Sequence, residues 1–304
     1  MLKIIKLRRY TKKDFLDIRD FLVVTYHNFQ RPFNWTIERW NFSIMARTMN
    51  GISDKQWLDE VGIIEDSGEI IGIINSEGEG KGEAFFQVKE MNMSKKVYNK
   101  MFKFAEDNIS IKKENGNYLA VRIPEIDTKR KEVAEKRNYI FNKKSEKISE
   151  LKISGKLNYN LNEGYHIKEG DQIDCQQKAA AHGRAFGYID QDMYLKRAVT
   201  GYEKLQQTPD YNPETDLYLL DKEENILSFC TLWFDSVNKI GILEPVGSIP
   251  EARNKGFARA VIYEAINRVI ERGAEKIFVG SRQEFYQKIG FEVKYKFNIW
   301  EKYF

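Results

Sequence analysis

A mixed α/β chain of two tandem domains is what the sequence predicts, on three observations. The chain has 304 residues, and one domain typically occupies about 150. One order of elements can be read twice along it: a short strand, an amphipathic helix, a hairpin about a charged turn, a further strand and a second helix. Between the two readings, residues 142–162 are rich in Lys, Ser and Asn and contain Ser154-Gly155-Lys156, which suits a linker or an exposed connecting strand. The expected boundary gives domains of residues 1–156 and 157–304.

The first copy opens on Ile4-Ile5-Lys6-Leu7, read as a strand; after Thr11-Lys12-Lys13-Asp14 the apolar residues Phe15, Ile18, Phe21 and Leu22 recur at helical spacing. Val61-Gly62-Ile63-Ile64 and Ile70-Ile71-Gly72-Ile73-Ile74 flank the polar turn Glu65-Asp66-Ser67-Gly68-Glu69, a hairpin by pattern and turn chemistry. Ala84-Phe85-Phe86-Gln87-Val88 follows as a strand, and residues 94–106 as a helix whose apolar face is Val97, Met101, Phe104 and Ala105. The aromatics from Tyr26 to Trp40, among them Phe29, Phe33 and Trp35, read as core; lining a cleft is their alternative use.

The second copy begins at Tyr165-His166-Ile167, followed by Asp171 and a helical stretch. Two apolar runs, residues 216–220 and 226–233, flank the charged turn Asp221-Lys222-Glu223-Glu224-Asn225. Ile240-Gly241-Ile242-Leu243 is the next strand. Residues 258–271 form a helix with Ala258, Val261, Ile262, Ala265, Ile266, Val269 and Ile270 as its buried stripe, stopped at Gly273. A buried strand at residues 276–280, a short helix at 284–289 and at least one strand within 291–300 complete the reading.

Composition narrows the function. Hydrophobic residues make up 42% and charged residues 31%, with six prolines and no low-complexity stretch, so the chain should fold throughout. A net charge of +4 without a basic block argues against a nucleic-acid partner. No run has the length of a signal peptide or a membrane span, so no membrane partner and a cytoplasmic location are expected. Cys175 and Cys230 lack metal-ligand spacing and read as small buried hydrophobes; no metal is expected. His27, His166 and His182 have no partner pattern and read as structural or solvent-facing.

The segment richest in chemistry is residues 244–258, between a strand and the long helix. A helix start exposes backbone N–H groups at the positive end of the dipole, so a loop that leaves them open is an anion site suited to a diphosphate. Gly256 lets the backbone approach a phosphate, small Ala258 leaves room beside it, and Arg253 and Lys255 add positive charge. Pro245 cannot donate to a sheet ladder and Gly247 weakens one, so the preceding strand should be incompletely paired. An ordinary strand-to-helix turn behind an edge strand is the plainer reading of the same letters. A phosphate loop of the nucleotidase kind is excluded, because Lys255 precedes Gly256 and Phe257 follows it.

Two motifs bring a resemblance. Arg253, Gly256 and Ala258 match the pattern of Arg or Gln, two residues, Gly, one residue, Gly or Ala, and Tyr286-Gln287-Lys288-Ile289-Gly290-Phe291 matches a tyrosine, three residues, Gly-Phe signature. At this separation, with a helix and a strand between them, they make residues 165–304 resemble the GNAT superfamily of N-acetyltransferases. The resemblance implies two tandem GNAT-like domains, each a mixed, mostly antiparallel sheet flanked by helices, the second active. It implies acetyl-CoA as co-substrate, held by the backbone of Val246, Gly247 and Ser248 along its acyl and pantetheine part, and by Arg253, Asn254, Lys255, Gly256, Phe257 and Ala258 at its pyrophosphate. Tyr286 is then expected to protonate the departing thiolate and Glu244 to act as base, through water, toward a primary amine of a small molecule or of a protein.

The first copy departs from this pattern. After Val88 the chain reads Lys89-Glu90-Met91-Asn92-Met93-Ser94-Lys95-Lys96 without a glycine, and Asn138-Tyr139-Ile140-Phe141 echoes the Gly-Phe end with asparagine for glycine. It reads as a degenerate domain that shapes the acceptor cleft. Competing readings are a non-catalytic acyl-CoA sensor, against which Tyr286 and Glu244 count, and a transferase using charged tRNA, which would want a larger basic surplus.

Overall fold

A computed structural model describes residues 5–304. Two compact units result: one runs to Lys147 and also takes in Tyr295–Phe304, and the other is Ile148–Lys294. The boundary thus falls nine residues before the one expected at 156/157, and the carboxy-terminal strand belongs to the first unit, which no sequence pattern announces.

The first unit contains β1 (Ile5–Arg9), α1 (Phe15–Phe29), α2 (Ile37–Met49), α3 (Asp54–Asp59), β2 (Gly62–Asp66), β3 (Glu69–Asn75), β4 (Glu83–Val88), α4 (Lys95–Asn108), β5 (Ile111–Lys113), β6 (Gly116–Pro124) and α5 (Thr128–Lys136). Ile4 lies outside the described residues. The β2–β3 hairpin closes on Ser67 and Gly68, both at positive φ, the conformation that matches a tight turn to the twist of its strands. Tyr26, Phe33, Trp35 and Trp40 are buried; Trp40 stacks on Phe15, with ring centroids 5.4 Å apart. These aromatics are core.

After β7 (Ile140–Lys152) come β8 (His166–Glu169), α6 (Cys175–Phe186), α7 (Tyr194–Leu205), β9 (Asp216–Leu220), β10 (Ile226–Asp235), β11 (Ile240–Ser248), α8 (Phe257–Ile270), β12 (Lys276–Val279), α9 (Glu284–Ile289) and β13 (Glu292–Tyr303). In the second unit β8, β9, β10 and β11 pair antiparallel in sequence, and β12 joins β11 in parallel. Of the α8 stripe, Val261, Ile262, Ala265, Ile266 and Val269 are buried against Leu217, Leu219, Leu232 and Ile277, with Ala260 added, while Ala258 and Ile270 are half-buried. At about 25 cal/mol per Å² of apolar surface, this face fixes how the start of α8 meets the sheet.

The elements follow in the same order in the two units, apart from α3 and β5, which only the first has, and the last strand, which the copies exchange. Lys152 to Ser149 of β7, from the end of the first copy, pair with Lys276 to Val279 of β12 in the second unit. Phe297 to Tyr303 of β13, from the end of the second copy, pair with Pro124 to Tyr118 of β6 in the first. The stretch expected as a linker is therefore strand up to Lys152 and irregular after it.

Candidate active site

The site begins with how β11 is paired. Cys230 stands opposite Val246 and Leu232 opposite Leu243, so β11 carries one extra residue in a bulge at Glu244 and Pro245. The indole Nε1 of Trp233 donates to the Glu244 carbonyl at 2.7 Å and pins the bulge. On its other side β11 stays beside β12 only from Ile240 to Leu243, and then runs on alone through Ser248. The Ile249 N–H donates to the Leu227 carbonyl at 3.1 Å. Alternation along an antiparallel ladder then turns the Gly247 N–H toward β10 and the N–H groups of Val246 and Ser248 away from it, into the opening left by β12. Ser228 Oγ donates to the Gly247 carbonyl at 2.9 Å and lies 2.7 Å from Ser248 Oγ, holding this segment to β10.

Past the strand comes a single 3₁₀ turn, Pro250–Ala252, and then Asn254 and Gly256 at positive φ of 62° and 84°. The first α8 bond runs from the Ala260 N–H to the Gly256 carbonyl at 3.0 Å. None of the N–H groups of residues 254–259 has a partner among the described residues, so they stand together at the positive end of α8. A cleft of about 320 Å³ joins Ser248, Asn254, Gly256, Phe257 and Ala258 to Phe285 and Ile289 of α9. Arg253 is not part of its lining: its guanidinium turns to α6 and donates to the Ala185 carbonyl at 2.9 Å, bracing the loop. Lys255 lines a second cleft on the far side of Gly256.

Tyr286 is buried on α9 against Phe291, ring centroids 5.7 Å apart. Burial above all, with the neighbouring Glu244 carboxylate adding to it, holds its phenol above the ordinary range. Glu244, half-buried at the bulge, is thus within electrostatic reach of Tyr286. The structure gathers the strand, the loop, Tyr286 and Glu244 at the open end of one sheet. Trp233 and Ser228, which fix the strand, carried no signal in the sequence, because cross-strand pairing alone gives them their role. His182 is buried, His166 lies 3.2 Å from Glu224, and His27 is exposed; no His, Cys, Asp and Glu cluster able to hold a metal occurs among the described residues.

The same positions of the first unit are closed by its own side chains. Asn34 accepts from the Val88 N–H at 2.9 Å and donates to the Val88 carbonyl at 2.8 Å, occupying both backbone groups at the end of β4. Arg130, fully buried, donates to the Phe86 carbonyl at 3.1 Å and pairs with Asp127 at 2.9 Å. Ser94 caps α4 by accepting from the Val97 N–H. Tyr139 N–H donates to the Ala134 carbonyl as Phe291 N–H does to Tyr286, and Asn138 and Gly290 both sit at positive φ. Ala134 therefore stands where the second unit has Tyr286.

The family model described as Acetyltransferase (GNAT) family matches residues 185–291. Among solved structures, the GCN5-related N-acetyltransferase from Sphaerobacter thermophilus is similar at TM-score 0.63 and 14% identity, over 98% of this chain and 95% of that one. A tandem GNAT protein from the clavulanic acid biosynthesis pathway gives TM-score 0.61 at 8% identity, over 98% of both chains. Identities this low establish a common fold. No curated protein sequence matches the chain. Residues 185–291 are a domain of the GNAT acetyltransferase family, carried in a chain with the tandem GNAT fold.

Proposed function

We propose that the second unit is an acetyl-CoA-dependent N-acetyltransferase that moves the acetyl group to a primary amine by direct attack on the thioester. The observation that carries this reading is the pair of N–H groups of Val246 and Ser248, turned into an opening that leads to the unpartnered N–H groups of residues 254–259. The strand donors suit a thioester carbonyl and the oxyanion that grows on it; fixed backbone dipoles serve this without reorganising. The loop donors suit the pyrophosphate, with Gly256 and Ala258 leaving it room.

Attack by a neutral amine forms the C–N bond and breaks the C–S bond, so the thiolate needs a proton and the nitrogen must lose one. Tyr286 is the donor: a phenol held above its ordinary range by burial keeps its proton until a strong base forms beside it. Glu244 takes the amine proton through water from its place at the bulge. The acceptor is a small-molecule amine or a protein amino group. The protein acts in the cytoplasm; no helix among the described residues is long and apolar enough to cross a membrane.

The test is to screen amines for acetyl-CoA-dependent thiol release, with mass detection of the acetylated product. Tyr286→Phe is expected to lower kcat by about 100-fold, the scale of one general acid, at unchanged acetyl-CoA affinity. Unchanged turnover in this variant would remove Tyr286 from the reaction. Absence of thiol release with every amine, despite acetyl-CoA binding, would favour a sensor.

A further inference from the structure

The resemblance places Arg253 at the pyrophosphate, and the structure turns it the other way, to the end of α6. The last carbonyls of a helix lack intrahelical partners and sit at the negative end of its dipole. At the end of α6 two of them meet different donors. The Gly183 carbonyl accepts from the N–H groups of Gly187, of Tyr188 at 2.7 Å and of Ile189 at 3.2 Å. The Ala185 carbonyl accepts from no backbone N–H among the described residues; its partner is the Arg253 guanidinium, at 2.9 Å. Arg253 forms no ion pair among the described residues, and Glu251, two positions before it, pairs with Arg184. Its counter-charge is the carboxy-terminal end of a helix, where a cation is stabilised.

What Arg253 holds through that carbonyl is the turn between α6 and α7. Residues 187–193 fold back closely over Gly183, where a Cβ would lie 2.6 Å from the Tyr194 ring and 3.2 Å from Ile189 Cα. The bonds to the Gly183 carbonyl tie the turn to the helix end, so the two move together. That end abuts the strand that carries the oxyanion donors: a Cβ on Gly247 would lie 3.0 Å from Ala185 Cβ and collide with the Phe229 ring. Tyr188 and Met193 of the turn are exposed, and the Tyr188 ring stacks at 6.3 Å on that of Phe186. A second tie from α6 to the loop, Arg184 to Glu251 at 3.1 Å, has both partners exposed and is worth little.

We propose that Arg253 is a positioning residue rather than a coenzyme ligand: it fastens the end of α6 and the turn of residues 187–193 to the coenzyme loop, so that coenzyme seated on residues 254–258 orders the turn beside Gly247. The inference rests on the donor-site reading above. Coenzyme on the loop stills residue 253 with its neighbours, and a stilled Arg253 holds the Ala185 carbonyl and the bonds at Gly183 behind it. Opening the turn then costs more than in the free chain, and local hydrogen exchange reads that cost.

The experiment is hydrogen exchange of the whole chain with and without acetyl-CoA, beside calorimetric titration, in wild type, Arg253→Ala and Arg253→Lys. In wild type acetyl-CoA is expected to slow exchange in residues 254–260 and also in residues 187–194. Arg253→Ala should keep acetyl-CoA affinity within about three-fold, where loss of a charge-assisted hydrogen bond to phosphate would cost about ten-fold or more. It should keep the slowing in residues 254–260 and lose it in residues 187–194. Arg253→Lys, which can still donate to a terminal carbonyl, should restore it. A ten-fold loss of affinity in Arg253→Ala, on the same scale, would make Arg253 a coenzyme ligand and overturn the proposal. So would slowing of the turn that is absent in wild type, that survives in Arg253→Ala or that Arg253→Lys fails to restore; each leaves the donor site standing. No binding of acetyl-CoA to wild type would overturn both.

Discussion

At the scale of the residue, burial holds two groups in one protonation state, Tyr286 in the site and His182 outside it. Tyr286 is kept protonated by burial and neighbouring charge. His182, packed near Phe186, Tyr194 and Phe229 with its Nδ1 2.7 Å from Tyr194 OH, is driven down to about 4 by burial. It is neutral in the native state, whereas the unfolded chain protonates it near 6.5. The unfolded state binds more protons between these values, so the contribution is full above pH 6.5 and is lost as pH falls toward 4, by roughly 3 kcal/mol. Denaturant unfolding at pH 7 and pH 4.5 should show a smaller loss for His182→Gln than for wild type; equal losses would show that His182 does not titrate in this way.

At the scale of the element, the decisive unit is the strand, loop and helix from β11 to α8. Gly256 at φ 84° is the N-cap of α8, and a Cβ there would meet no atom within 4 Å. Its substitution therefore costs backbone strain, about 1–2 kcal/mol for a left-handed residue, and fills the space a phosphate would use. Gly256→Val is expected to leave the fold intact by circular dichroism and to abolish acetyl-CoA binding by calorimetry; retained affinity would remove the loop from the site. Much of this unit was legible in the sequence, since Pro245, Gly247 and Gly256 each have a backbone meaning independent of context. The direction of the Arg253 side chain was not legible, because it depends on where α6 ends relative to the loop. Nor was the packing of residues 157–162 on α8: their period-2 alternation spans only six residues with no strand pairing, and reads as a polar linker until α8 is placed beneath it.

At the scale of the whole molecule, the repeat was legible as an order of hairpins and helices, and the exchange of final strands was not. Local pattern says that residues 292–303 form a strand; which β-edge they complete is a long-range choice. Trp300 on β13 is buried in the core of the first unit, so removal of residues 295–304 should expose the β6 edge. Hydrogen exchange of such a truncated chain is expected to speed up in residues 118–124 and to change little in β10 and β11; unchanged protection of β6 would contradict the assignment of β13 to the first unit. The two copies share a fold and differ where chemistry would happen. Asn34, Arg130, Ser94 and Ala134 close in the first what β11, residues 254–259 and Tyr286 leave open in the second. The central claim is one donor site per chain, in the second unit, and calorimetric titration of the purified protein with acetyl-CoA tests it most directly. The account predicts a stoichiometry of one per chain, lost in Gly256→Val; two sites, or none, would contradict it.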